Sequence, residues 1–95
     1  MHIISRKALR LFAQRHPDSQ SALDAWFRIV RTNQFANLVD LRRVFPHADL
    51  VGDLVVFNIG GNKYRLIAAI HFNRQKLYIR YVLTHDEYDR GTWKI

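Results

Sequence analysis

The chain contains no cysteine, and that absence removes disulfides, thiolate metal sites and cysteine nucleophiles together. Long hydrophobic runs are missing too. The longest apolar stretches span about five residues, against roughly 20 for a membrane-spanning helix. The opening Met1-His2-Ile3-Ile4-Ser5-Arg6 has no apolar h-region, so neither a span nor a signal peptide is expected. The third absence is local. From Leu54 to His85 thirty-two residues pass without one Asp or Glu, while the same stretch holds Lys63, Arg65, Arg74, Lys76 and Arg80. No repeat, low-complexity tract or interdomain linker interrupts the chain.

What is present fits one compact domain over residues 1–95. The 48% hydrophobic and 13% aromatic residues supply a core, and a disordered chain would hold far fewer. Fifteen Lys and Arg stand against eight Asp and Glu, a formal charge of +7. Such an excess points to a polyanionic partner, since each phosphate neutralised releases a counterion. Together these features suit a bacterial cytoplasmic protein that binds nucleic acid and no membrane.

Periodicity organises the first half. His2-Ile3-Ile4 predicts a short strand. Ser5 can cap a helix with Ala8, Leu9, Phe12 and Ala13 on one stripe, ended by His16-Pro17. Asp18 or Ser19 can cap a second, with Leu23, Trp26, Phe27 and Val30 inward and an end near Thr32-Asn33. A third starts near Asn37, turns Leu38, Leu41 and Val44 inward, and stops at Phe45-Pro46. His47 to Asp53 reads as loop.

The acid-free stretch reads as three strands. Gly60-Gly61 suits a two-residue turn, which pairs Asn58 with Lys63, Phe57 with Tyr64 and Val56 with Arg65. A second turn at Arg74-Gln75 pairs Phe72 with Leu77 and Ala69 with Arg80. Alternation then gives one face Val55, Phe57, Tyr64, Leu66, Ala68, Ile70, Phe72, Leu77, Ile79, Tyr81 and Leu83, the core. The other face holds Asn58, Lys63, Arg65, His71, Lys76, Tyr78, Arg80 and Thr84, a cationic cleft. Thr84 to Glu87 matches a capping box, so a helix should begin at the end of the third strand and stop at Arg90-Gly91. His85 and Tyr88, three apart on that helix, share a side and should converge with Arg65. The class expected is α+β, with helices on one face of a small, mainly antiparallel sheet.

Cations, a histidine and tyrosines on one face suit chemistry on a phosphodiester. Cutting RNA through its own 2′-hydroxyl needs a base for that proton, cations for charge on phosphorus and an acid for the 5′-oxygen. Arg65 and Arg80 offer forked donors, Lys63 a point charge, and His85 a side chain of the type that titrates near neutrality. The residues leave His85 open to either the acid or the base role. Asp86, Glu87 and Asp89 are accounted for by the positive end of the last helix, and the five histidines show no metal-ligand spacing. Arg6, Lys7 and Arg10 read either as a solvated helix face or as a contact to rRNA.

Phe57-Asn58-Ile59-Gly60-Gly61-Asn62-Lys63-Tyr64-Arg65, followed by Tyr78-Ile79-Arg80 and Thr84-His85-Asp86-Glu87-Tyr88-Asp89, resembles the HigB branch of the RelE superfamily, toxins of bacterial type II toxin-antitoxin modules. The similarity runs over nearly the whole chain. It implies a ribosome-dependent mRNA endoribonuclease that uses no cofactor and is silenced by a HigA-type helix-turn-helix antitoxin. By position it implies Lys63, Arg65, Arg80, His85 and Tyr88 as the catalytic set. Asn58, Asn62, Lys76 and Tyr78, with Arg6, Lys7 and Arg10, are the candidate contacts to RNA or ribosome. The paired strand lysines of some relatives are reduced here to Lys63. Two rivals remain: a ParE-like toxin on the same fold that acts on DNA gyrase without nuclease activity, and a non-catalytic RNA- or ribosome-binding module.

Overall fold

The computed structural model describes residues 1–94. Its elements run β1 (His2–Ile4), α1 (Arg6–Arg15), α2 (Gln20–Thr32), α3 (Leu38–Val44), β2 (Asp49–Val51), β3 (Leu54–Ile59), β4 (Tyr64–His71), β5 (Lys76–Thr84) and α4 (His85–Arg90). The five strands form one sheet in the order β1-β5-β4-β3-β2. Only β1 and β5 run parallel; every other pair is antiparallel. No helix among these residues is long and apolar enough to cross a membrane.

The three leading helices form where their stripes direct, but Ser5, expected to cap α1, makes no side-chain bond to it. Leu9, Phe12 and Ala13 of α1 and Leu23, Trp26 and Val30 of α2 are buried. They pack with Val55, Phe57, Tyr64, Leu66, Ala68 and Leu77 into the main core. Asn37 caps α3, its side-chain oxygen accepting from Asp40 N at 2.9 Å. Ser19 does not cap α2; its hydroxyl turns back to donate to the His16 carbonyl at 2.7 Å. Val44, expected inward, is 42% exposed. It sits on the last turn of a seven-residue helix whose inward contact is made by Leu41.

The sheet departs from the expected pairing in four places. Asp49–Val51, within the expected loop, pairs with Val56–Leu54 as a short edge strand. The first hairpin has a four-residue turn, Gly60 to Lys63, so Asn58 faces Arg65 and Phe57 faces Leu66. That slip of two residues preserves which face each side chain occupies. Both glycines take positive φ, 62° and 68°, a region in which a Cβ is strained. The second hairpin likewise pairs Ile70 with Leu77 and His71 with Lys76. Gln75 closes it in the left-handed region, and its side-chain amide ties the tip to Phe35 N and Phe35 O.

The fourth departure changes the faces. Ile67 pairs with Tyr81 but Ala68 pairs with Ile79, leaving Arg80 as an extra residue in a bulge. An inserted residue breaks the two-residue alternation. Beyond it, Val82 joins the main core, and Leu83 packs on the opposite face with Val56, Ile67 and Trp93. Tyr81 and Leu83 therefore leave the face assigned to them from alternation. Thr84 is opposite Tyr64 and not Arg65, which faces Leu83. The α+β class stands, with α1 to α3 on one face of the sheet. The opposite face is partly covered too, by Tyr88 of α4 and by Trp93 in the short turn that follows.

Candidate active site

Arg65 is the second residue of β4 and is 8% exposed. The positive-φ glycines bend the chain so that Asn62 curls back on it. Nη1 of Arg65 donates to the carbonyls of Asn62 at 3.2 Å and Tyr64 at 3.1 Å, and Nη2 donates to the side-chain oxygen of Asn62 at 2.6 Å. Tyr88 closes one side, its ring centre 5.4 Å from Cζ of Arg65. Trp93 stacks on Tyr88 in turn, at 5.2 Å and 16°. Among the described residues, no carboxylate lies within 4.0 Å of the guanidinium. A buried cation is costly unless an opposite charge or full hydrogen bonding compensates it. Neutral carbonyls supply only part of that here, so the site suits an incoming anion.

His85 opens α4. The helix starts here because Thr84 and Glu87 form a complete capping box: Glu87 N donates to the Thr84 hydroxyl at 3.2 Å, and Thr84 N donates to Glu87 Oε1 at 2.9 Å. The main-chain N–H of Thr84, opposed in part by burial and aided by the Thr84 side chain, Arg15 and Arg90, holds the Glu87 carboxyl below its ordinary range. Gly91, at φ 72°, ends the helix. The main-chain N–H of His85 donates to the Lys63 carbonyl at 3.0 Å, fastening α4 to the turn that carries Asn62. Its imidazole Nδ1 lies 3.2 Å from Asp89 Oδ2. A neutral imidazole protonated on Nδ1, the nitrogen beside that carboxylate, carries its lone pair on Nε2. Asp89, assigned from sequence to helix-end electrostatics alone, thus also lies beside the histidine.

The remaining candidates are dispersed. Lys63 stands on the turn, exposed, with Nζ 3.6 Å from Asp18 Oδ2. The cationic region therefore has an acid beside it, delivered from the α1–α2 connection. Asn58 is exposed on the strand beside Arg65. Arg80, in the bulge, lies three residues along β5 from the partner of Arg65, on the order of 10 Å away. It lines a separate groove of about 980 Å³ with His71, Tyr81, Trp93 and Lys94. Tyr78 meets His71 edge to face at 5.4 Å, and Lys76 pairs with His71 and His2 at that same end. Arg6, Lys7 and Arg10 belong to α1 in the helical layer, where Arg6 lies 4.6 Å over the Phe27 ring. The structure brings together Asn62, Arg65, Tyr88 and, through its main chain, His85. It separates Arg80 and the α1 cations from them.

Trp93 was not singled out from the sequence. Its only local signal is an aromatic residue two positions after the Arg90-Gly91 stop, which does not specify a ring beneath Tyr88. Asp18, read from sequence only as a possible cap of the second helix, carried no signal of this contact, being 46 residues from the Tyr64 hydroxyl that donates to it at 2.7 Å.

A family model for the HigB toxin, described as the RelE-like toxic component of a toxin-antitoxin system, matches residues 19–91. Over 92 residues the chain is 40% identical to a protein of Escherichia coli strain K12 named mRNA interferase toxin HigB, covering 94% of this chain and 88% of that protein. The same values hold for a Shigella flexneri protein named mRNA interferase HigB. A protein of that name from Escherichia coli O6:H1 is 30% identical over 95 residues, with coverage of 97% and 92%.

Proposed function

Because the chain belongs to the HigB toxin family, the toxic component of a toxin-antitoxin system, we propose that it is an mRNA endoribonuclease that acts on the ribosome through Arg65, His85 and Tyr88. The single observation that carries the site is Arg65: a buried guanidinium fixed by carbonyls, roofed by Tyr88 and without a nearby carboxylate among the described residues.

In the proposed reaction the 2′-oxygen attacks the adjacent phosphorus, its bond to phosphorus forms as the bond to the 5′-oxygen breaks, and a 2′,3′-cyclic phosphate and a free 5′-hydroxyl result. His85 Nε2, with Asp89 beside Nδ1 on the other side of the ring, takes the 2′-proton. Arg65 receives the charge that grows on the non-bridging oxygens. The proton for the departing 5′-oxygen comes from Tyr88 or from solvent. Lys63, on the neighbouring turn, adds a positive charge at the rim. Arg80 and its groove hold nucleotides away from the cut, with Tyr81 and Tyr78 as stacking surfaces. Asn58 and Lys76 are further contacts on that face, and Arg6, Lys7 and Arg10 face rRNA.

A site with so few groups needs its substrate presented in an attack geometry, and the ribosomal A site supplies it in the cytoplasm. A smaller, acidic antitoxin of the HigA helix-turn-helix type neutralises the +7 chain. The test is cleavage of one mRNA free in solution and on translating ribosomes. Cutting that requires ribosomes supports the reading, and equal cutting of naked RNA removes the ribosome from it. Arrest of replication before translation on induction would instead favour a gyrase poison.

A further inference from the structure

We infer that Asn62 is a positioning residue that turns the guanidinium of Arg65 so that one edge, Nε–H with an Nη2–H, meets the phosphate; the inference rests on the nuclease reading of the site and deepens it. A guanidinium has five N–H donors in a fixed plane. Three are engaged: both on Nη1, by the carbonyls of Asn62 and Tyr64, and one on Nη2, by the Asn62 side-chain oxygen. Asn62 grips the end of the guanidinium with its two oxygens, one on each terminal nitrogen. The two donors left over, Nε–H and the second Nη2–H, lie side by side on the same edge. That edge is a fork matched to two oxygens of one phosphate.

The surroundings hold this orientation. The Tyr88 ring restricts tilting, and the positive-φ glycines set the turn from which Asn62 reaches back. An arginine ordinarily loses much rotamer freedom when it binds a ligand; here that loss is met on folding. The Arg65 bond at 2.6 Å uses one lone pair of the Asn62 side-chain oxygen, which leaves the second lone pair and the amide N–H donors for a contact to RNA.

The experiment uses the full chain with Asn62→Ala, Asn62→Asp and Arg65→Ala. The Nε–H resonance of Arg65 is followed by NMR during titration with a 2′-deoxy dinucleotide, which carries the phosphodiester and cannot be cut. In the parent the resonance is sharp and moves on binding. In Asn62→Ala it broadens and affinity falls about tenfold. On programmed ribosomes Asn62→Ala lowers the single-turnover rate about 100-fold, the scale of a misplaced catalytic group, with KM nearly unchanged. In the Arg65→Ala background Asn62→Ala costs nothing more, because it acts through Arg65. Asn62→Asp keeps the acceptor, so the resonance stays sharp while the added charge weakens binding; this variant carries the test if Asn62→Ala does not fold. An Asn62→Ala protein with the parent's resonance and affinity, a full extra loss in the double variant, or an Asn62→Asp protein that binds like the parent would overturn the inference. If the parent binds through Arg65 under the control of Asn62 but cuts no mRNA, the nuclease reading fails and the assignment to Asn62 stands.

Discussion

The phenol of Tyr64 donates a hydrogen bond to Oδ1 of Asp18 over 2.7 Å, joining the α1–α2 connection to the strand that carries Arg65. The same carboxylate faces Lys63 at 3.6 Å. The phenol, and to a lesser degree Lys63, hold the Asp18 carboxyl below its ordinary value of 3.8, and the bond to Asp18 pushes the Tyr64 hydroxyl above 10.0. Both signs say that the contact favours neutral tyrosine with ionised aspartate. Its stabilisation is full from above pH 3.8 to below pH 10.0. It fades in acid as pH falls through the depressed value of Asp18, and in base as pH rises through the raised value of Tyr64. Tyr64→Phe should therefore unfold at lower urea than the parent at pH 7, and the two midpoints should approach one another in strong acid.

A second prediction concerns the start of α4. Thr84→Ala removes the hydroxyl that accepts from Glu87 N and should cost about 1 kcal/mol, the usual price of a lost N-cap. Because the Glu87 carboxyl is held below 4.5, its contribution is present above that pH and is lost as pH falls through the lowered value. Amide exchange in α4 should rise in Thr84→Ala at neutral pH, and in the parent only in acid.

Trp93 yields a third. It is buried against Val56 and Ile67 and stacks on Tyr88. Trp93→Ala should destabilise the chain by about 3 kcal/mol and loosen the roof over Arg65. Trp93→Phe, which keeps a ring, should recover most of the cleavage rate. Parent-like cleavage by folded Trp93→Ala would separate the stack from function.

Arg80 and the α1 cations supply a fourth, because the structure places them away from Arg65. Arg80→Ala and Arg10→Ala should weaken binding to ribosome-bound mRNA and reduce its salt dependence by roughly one phosphate contact each. Cleavage within a preformed complex should stay near the parent rate. A loss of that rate in Arg80→Ala would return Arg80 to the reacting phosphate.

Helix positions were legible because stripes, caps and prolines act locally, and so were the hairpins and the Thr84-Glu87 box. Arg65 and Tyr88 could be placed together since the error in the first turn was two residues and left parity intact. The bulge at Arg80 was not legible. Nothing in Tyr78-Ile79-Arg80-Tyr81 distinguishes an inserted residue from a regular strand, and it exchanged the faces of Tyr81, Leu83 and Thr84. The edge strand at Asp49–Val51 escaped because three residues carry too little alternation. The partners of Lys63 and Tyr64 depended on which acid the fold delivers, and Asp18 arrives from far along the chain, whereas Asp89 is an i,i+4 neighbour of His85 that helix spacing alone could have paired with it.

In the proposed reaction Arg65 stabilises the reacting phosphate while His85 moves a proton. That division of roles is tested most directly by single-turnover cleavage on programmed ribosomes by the parent, Arg65→Ala and His85→Ala, with binding and folding measured separately. Each variant should lose at least about 100-fold in rate, with ribosome binding retained. Folded, ribosome-bound Arg65→Ala or His85→Ala that cuts at the parent rate would contradict it.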